Sequence, residues 1–413
     1  MHMPPHAVSD NILKPDAKTA DLWRELAPQH WPIPLTALPN GTALVGGAVR
    51  DALLGRLNKK PDLDLVVPNG ALALSQSLAG TLGGSSVVLD EQRDIARLVI
   101  NGWTIDLARC DGESIDDDLW RRDFRLNAIA LPLRPAGALI DPTGGQEDLQ
   151  RGQLVAVSER NLTDDPLRLL RGLRLLAEIP LDLDQQTAVW IKTHRTRLTD
   201  VAPERILNEL QRLVTADHFD NVWSVLLELE LLKPWNNLEG NTELHRSPPR
   251  LSETFGMTDD ERALALPLAR WIHLSSDSGL EQLRASRQLQ RRCRRLRHWI
   301  QLVSGQQDRL TEVQRVQLHL ELEEDLPALI LHLPQEIGRT WLTRWRNPSD
   351  PLFHPTSPVD GSMLQNALGL SPGPVLGRLL HHLRHERAFG RVNGHASAIT
   401  EAKRWFSLQS DLL

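Results

Sequence analysis

The 413-residue sequence predicts an α+β fold, a head of mixed sheet and helix followed by a long all-helical remainder. Three observations carry this. Between residues 40 and 150, short apolar runs bounded by turn residues alternate with stretches of helical spacing. From Pro166 onward almost every segment repeats its apolar residues at the helical period, broken by Pro and Gly clusters near 233–249, 325–335 and 347–358. Asn101-Gly102 joins two strand-like runs and is a strong hairpin signal, because both residues accept positive φ.

Taken in order, residues 1 to about 35 hold one short helical stretch, Ala20 to Leu26, among proline-rich connections. Thr42-Ala43-Leu44-Val45 reads as a strand ending in Gly46-Gly47. Ala48 to Leu54 then has helical spacing and stops at Gly55, a favourable C-terminal glycine. The next run, Pro61-Asp62-Leu63-Asp64-Leu65-Val66-Val67, reads as a buried strand. Side chains alternate across a strand, so Asp62 and Asp64 point the same way. Two such charges repel unless a cation lies between them, and carboxylate oxygens are hard ligands suited to Mg²⁺. Alone, the pair fits a solvated turn or cap, and Gly46-Gly47 a tight turn. Joined, they form a compact phosphate-handling unit. The glycines let backbone N–H groups approach a ligand, and a helix N-terminus favours an anion. Ser86 to Leu89, Ala96 to Ile100 and Trp103 to Leu107 follow as strands. Asp106 lies in the last, where an acid is either an edge residue facing water or needs a partner.

Composition sets outer bounds. The length predicts two to four domains, and the net charge of −6 excludes a global attraction to nucleic acid, leaving only local basic patches. Cys110 and Cys293, the two cysteines, match no metal or disulfide pattern and fit a reduced, cytoplasmic setting. The segment MHMPPHAVSDNILKPDAK lacks the basic and apolar regions of a signal peptide, and no apolar run approaches the ~20 residues of a membrane span. Of the 12 tryptophans, Trp223, Trp235, Trp271 and Trp341 lie in apolar helical patterns and are expected in the core.

The segments LVGGAVRDALLGR and DLDLVV together resemble the signature of the class II tRNA nucleotidyltransferase and bacterial poly(A) polymerase family, within the DNA polymerase β-like nucleotidyltransferases. Four further segments resemble its elements in order. They are RRDFRLNAIAL (Arg121 to Leu131), DPTGGQEDL (Asp141 to Leu149), DDPLRLLRGLRL (Asp164 to Leu175) and PERILNEL (Pro203 to Leu210). The likeness is dense from about residue 40 to 215.

The resemblance implies a nucleotidyltransferase head over 36–150 after an N-terminal extension over 1–35. A helical neck over 151–220, a body over 221–345 and a tail over 346–413 complete the layout. It makes Asp106 a third carboxylate beside Asp62 and Asp64, the three binding two Mg²⁺. The implied reaction is template-independent: the 3′-hydroxyl of tRNA attacks the α-phosphate of CTP, and possibly ATP, releasing pyrophosphate. Gly46, Gly47 and Arg50 belong to the phosphate-handling unit. Arg121, Arg122 and Asp123 border the triphosphate and sugar, with Asn127 in support; arginine's planar fork suits phosphate. Without the resemblance, Arg121-Arg122-Asp123 after Asp116-Asp117-Asp118 also reads as a surface of alternating charge.

Asp164-Asp165-Pro166-Leu167-Arg168 reads as a helix cap with proline at the first helical position. Asp165 and Arg168, an acceptor beside a donor fork, match the edge of cytosine and, after a small shift, adenine. Guanine and uracil mismatch it, at ~1–3 kcal/mol per unpaired buried group. Asp164 stands where the family usually has Glu. Arg171 and Arg174 continue along the helix, either solvated or toward triphosphate and primer. Glu204, Arg205 and Glu209 read as structural supports. Arg291, Arg292, Arg294 and Arg295 form the most basic run, a solvated helix face or a phosphate contact for RNA. Gly369 to Pro374 resembles the tail element, and His381, His382 and His385 read as surface residues.

Enzymes of the family that add a full CCA carry a longer, mobile connection between the third carboxylate and the RRDF element. Here it is only Leu107 to Trp120, which favours a CC-adding enzyme. The competing readings are a full CCA-adding or A-adding enzyme, or a poly(A) polymerase. A nucleotide-sugar glycosyltransferase leaves the RRDF element unexplained, and a silent RNA-binding protein leaves the three acids unexplained.

Overall fold

The computed structural model describes residues 17–236, 248–250, 254–303 and 310–410. Most of the segment read against a signal peptide, and much of the 233–249 break, lie outside the described residues. The chain divides into two compact units, Met1–Asp200 and Val201–Leu413. The neck expected over 151–220 straddles that division.

The first unit opens with helix α1 (Ala17–Leu26), followed by β1 (Thr42–Val45), α2 (Gly47–Leu53) and β2 (Leu63–Val67). Helix α3 (Ala71–Leu82) and strands β3 (Ser85–Asp90), β4 (Ile95–Ile100) and β5 (Trp103–Arg109) come next. Then follow α4 (Ile115–Trp120), β6 (Ala130–Arg134), α5 (Gly145–Arg151) and the short β7 (Gln153–Leu154). The unit closes with α6 (Glu159–Asp164), α7 (Leu167–Glu178), the short β8 (Asp182–Leu183) and α8 (Gln185–His194).

Six strands form one mixed sheet in the order β3-β4-β5-β2-β1-β6. All its pairings are antiparallel except β2 with β5. The α3 and β3–β4 stretch makes the crossover that lets β5 return alongside β2 in parallel. Alternation along each strand then divides the residues between two faces. Leu63, Leu65 and Val67 of β2 and Ile105 and Leu107 of β5 enter the larger core. The intervening Asp64 and Asp106 stand on the opposite face, with Val45 and Val66. Of the residues expected as an N-terminal extension, Leu22, Leu26, Trp31 and Ile33 lie in the larger core of this head.

The second unit is helical among the described residues. It runs through α9 (Pro203–Thr215), α10 (Phe219–Leu229), α11 (Asp259–Leu274), α12 (Asp277–Gln282) and α13 (Arg287–Val303). It continues with α14 (Glu312–Leu322), α15 (Leu326–Ile330), α16 (Gln335–Trp345), α17 (Gly361–Leu368), α18 (Pro374–Ala388) and α19 (His395–Ser410). The expected break near 325–335 therefore contains a helix, because Pro327 sits in the first turn of α15, where its missing N–H costs nothing. Trp235 and Trp271 are buried as expected, whereas Trp223 and Trp341 are half-buried.

The last three helices enclose their own small core of Leu364, Leu379, Leu383, Val392, Ala398 and Ala402. Of the three histidines read as surface residues only His381 is exposed. His382 pairs with Glu401 at 2.8 Å and stacks on Trp405, and His385 lies half-buried against Glu386 and Glu312. Their i, i+3 and i+4 spacing turns them toward neighbouring acids that sequence distance hides.

Candidate active site

The sheet face that carries Asp64 and Asp106 brings two of the three predicted acids together. Parallel pairing sets Asp64 and Asp106 side by side in register. Asp62 precedes β2 by one residue and is exposed, while Asp64 is half-buried. Burial pushes the Asp64 carboxyl up to about 6; Arg122 and Arg171 oppose this, and the charges of Asp106 and Asp62 add to it.

Gly46 stands over this pair. A β-carbon there would lie 2.9 Å from Oδ2 of Asp64 and 3.5 Å from Nη1 of Arg122, and the residue's φ of +75° suits only glycine. Gly47 begins α2, which is seven residues long and ends, as expected, before a left-handed Gly55. Arg50 is buried, and its guanidinium is bonded to neighbouring side chains. It grips both carboxylate oxygens of Asp51 and donates from Nη1 to Oδ1 of Asn127 at 2.6 Å.

Asn127 passes that support onward by donating to Oδ1 of Asp123 at 3.2 Å, which also accepts from the Phe124 N–H. Nε of Arg171 stands 3.0 Å from the other Asp123 oxygen. Burial alone would raise the Asp123 carboxyl, but Arg171, Arg168 and these two donors outweigh it and hold it down at about 2. Asp123 and Asn127 are thus a buried anchor beneath the arginines. Arg122 donates from Nε and Nη2 to Asp118, and Arg121 is exposed and pairs with Asp111.

A cavity of about 840 Å³ opens in front of these groups. Arg121, Arg122, Asp123, Asp164, Asp165, Arg168 and Arg171 line it, together with Arg93, Arg109 and Trp120. The structure thereby brings together most of the predicted phosphate and base contacts in one unit. Gly46, Gly47, Arg50, Asn127 and Arg174 do not line the cavity, nor do the three acids Asp62, Asp64 and Asp106; Arg174 is buried and pairs with Glu178.

The cap also differs from expectation. Pro166 occupies the N-cap of α7, not its first helical position, because α6 runs on to Asp164 just before it. Asp165 lies at the joint and accepts from the Leu167 N–H at 3.3 Å. Arg168 donates from Nη1 to the carbonyls of Arg121 and Asn161, and its burial lowers the guanidinium pKa.

Several residues of this site, Arg93 and Arg109 among them, escaped the sequence reading, and three have a clear structural role. Asn161 of α6 donates to the carbonyls of Trp120 at 2.8 Å and Arg122 at 2.7 Å, locking the RRDF segment in place. Trp120 is about half exposed (51%) at the cavity, unlike the core tryptophans. Arg97 donates from Nε and Nη2 to the two oxygens of Asp106, each at 2.8 Å. Counting outward from the Asn101-Gly102 turn pairs Arg97 with Asp106, so that contact was legible in the sequence.

The three acids have the chemistry of a divalent-ion site. They offer hard oxygens, like charges that raise Asp64, and a space beside Asp64 that only glycine at position 46 leaves open. In this arrangement, among the described residues, no three His, Cys, Asp or Glu side chains stand close enough together to hold a metal ion.

The basic run of α13 is largely committed within the second unit. Arg292 grips Asp325, Arg294 pairs with Asp277 and Glu281, and Arg295 donates to the Glu321 carbonyl. Arg291 is exposed. Glu204 pairs with Arg284, consistent with a structural role.

Comparison with known proteins matches residues 42–155 to the poly(A) polymerase head domain, and residues 181–236 to a probable RNA and SrmB binding site of polymerase A. A CC-adding tRNA nucleotidyltransferase of Synechocystis is 31% identical over 95% of this chain and 99% of its own length. An A-adding tRNA nucleotidyltransferase of Halalkalibacterium halodurans is 36% identical over 51% of this chain and 52% of its own. Among solved structures, a CCA-adding enzyme in complex with CTP shares the fold with a TM-score of 0.67 at 21% identity, covering 94% of this chain and 98% of that one.

Proposed function

Because the chain belongs to the tRNA nucleotidyltransferase family, we propose that it is a CC-adding enzyme, extending the 3′ end of tRNA by two cytidines taken from CTP. The observation that carries the CC-only reading is the connection between Asp106 and Arg121. Strand β5 runs on to Arg109, and the turn over 110–114 leads straight into the six-residue α4. A capping box between Ser114 and Asp117 and the grip of Arg122 on Asp118 tie this segment down. A pocket that changes from CTP to ATP after two additions needs a segment that moves, and this one is short and internally bonded. The full-length likeness to a CC-adding enzyme supports the same reading.

Asp62, Asp64 and Asp106 would hold divalent ions, Mg²⁺ in our reading, which supply charge stabilisation at the triphosphate and activation of the 3′-hydroxyl when bound. Arg121, Arg122 and Arg171 present guanidinium groups to the phosphates. Asp123, neutralised by Arg171 and fixed through Asn127 and Arg50, keeps that wall rigid. Asp165 and Arg168 read the base, with Arg168 oriented by the two carbonyls it already holds. We assign chemistry to a head over 36–150, base choice to a neck over 151–220, and tRNA contacts to a body over 221–345 and a tail over 346–413. A tRNA substrate and two free thiols support a cytoplasmic setting. Among the described residues no helix is long and apolar enough to cross a membrane.

The test is a tRNA lacking its last three nucleotides, incubated with labelled CTP, with ATP, or with both. Two cytidines that never extend are expected. A third nucleotide means CCA addition, a single adenosine on a CC-ended tRNA means A addition, a long adenosine tail means poly(A) synthesis, and no product overturns the enzyme reading. Asp64→Ala should abolish incorporation with tRNA binding retained. Asp165→Ala should lower the CTP-over-ATP ratio of kcat/KM by about 10–100-fold, the worth of one unpaired buried group; an unchanged ratio refutes the base-reading assignment.

A further inference from the structure

We propose that Arg97 is a built-in counter-cation that holds Asp106 out of the metal-binding set until a divalent ion displaces it. The inference rests on the reading of Asp62, Asp64 and Asp106 as metal ligands.

The three acids are not equivalent in the structure. Arg97 holds both oxygens of Asp106 side-on, Nε on Oδ1 and Nη2 on Oδ2, each at 2.8 Å. Among the described residues neither Asp62 nor Asp64 has an ion-pair partner. Two acids are thus open to an ion, and the third is occupied by a side chain of the same charge sign as that ion. Consistent with this, no three acids converge on one point among the described residues.

The sheet makes this arrangement obligatory. Antiparallel register sets Arg97 on β4 opposite Asp106 on β5, and parallel register sets Asp106 beside Asp64 on β2. Asp106 therefore has a cation on one side and an acid on the other, and its carboxylate can turn to either. Arginine suits the first partner because its fork matches both oxygens at once. It can also leave, since the Arg97 side chain is nearly half exposed and its head can return to water. A divalent ion that reaches Asp64 meets Asp106 only after overcoming the guanidinium, so the resting protein binds the ion more weakly than its acids alone would allow. Loss of a group bonded to a metal ligand ordinarily weakens metal binding. Here the sign is reversed, because the bonded group competes with the ion.

The test uses Mn²⁺ as the probe, titrated into the full-length protein without nucleotide, with free ion counted by electron paramagnetic resonance. Arg97→Gln is expected to tighten Mn²⁺ binding about tenfold, at the lower end of the 10–100-fold range for groups bonded to ligands. Arg97→Lys, which keeps the charge but loses the fork, should give a smaller gain and serves alone if the glutamine variant does not fold. Asp106→Asn added to Arg97→Gln should erase the gain. Equal or weaker binding by both Arg97 variants overturns the proposal, provided that Asp64→Asn weakens binding in the wild-type background. If Asp64→Asn leaves wild-type binding unchanged, the metal-site reading itself fails, and the proposal with it.

Discussion

A methyl group at position 46 would press on Oδ2 of Asp64 from 2.9 Å, in a backbone conformation that side chains rarely adopt. Gly46→Ala should therefore displace the acid that anchors the site, and a 1 Å misplacement of reacting groups costs about a hundredfold in rate. Single-turnover incorporation of CTP checks this, with circular dichroism showing the fold retained. Asp123 makes a different prediction. Its carboxyl, at about 2 when folded, lies below the ordinary aspartate value of 3.8, so its stabilisation is present above about pH 4 and lost as pH falls toward 2. The difference corresponds to roughly 2 kcal/mol at neutral pH. Asp123→Asn should lower the melting temperature at pH 7, and the gap to wild type should close in acid melts near pH 2. Equal melting at pH 7 refutes it. Both residues stood in segments that the sequence made visible, but only coordinates show that one is a spacer over an acid and the other a buried anchor.

Helices α7 and α13 show why spacing alone assigns arginines poorly. Each three-residue step along a helix turns the side chain by about 300°, so position 174 lies roughly 120° around from 168. Arg168 and Arg171 reach the cavity, and Arg174 is turned to Glu178. In α13 the same run of charge meets Asp277, Glu281 and Asp325 from neighbouring elements, which no local pattern reveals. Arg291→Ala should therefore weaken tRNA binding and reduce the salt slope by about one, while Arg292→Ala should lower the melting temperature with binding little changed. Filter binding across a salt series and thermal melts separate the two; reversed effects would refute this division. Helix α6 carries a third case. Asn161 holds the carbonyls of Trp120 and Arg122 at the start of the RRDF segment, and Asn161→Leu leaves both unpaired at ~1–3 kcal/mol each. A raised KM for CTP together with a lowered melting temperature is expected, and an unchanged KM would refute the link to the pocket.

At the scale of the molecule, the two units differ in how legible they were. The first carries its chemistry in short motifs fixed by glycine, hairpin register and alternation, and these follow from local rules. The second is a run of helices whose period is plain but whose partners are set by packing between segments far apart in sequence. Every residue lining the large cavity belongs to Met1–Asp200, which has its own sheet and core. A chain ending at Asp200 should unfold in one cooperative transition and bind CTP by calorimetry, and a fragment that folds without binding would refute that self-sufficiency. The one parallel pairing of the sheet has a temporal meaning as well. Asp64 and Asp106 sit on neighbouring strands but are separated in sequence by a whole helix and hairpin. A nascent chain leaving the ribosome thus keeps Asp64 and Asp106 apart until Arg109 has cleared the exit tunnel and β5 can dock beside β2.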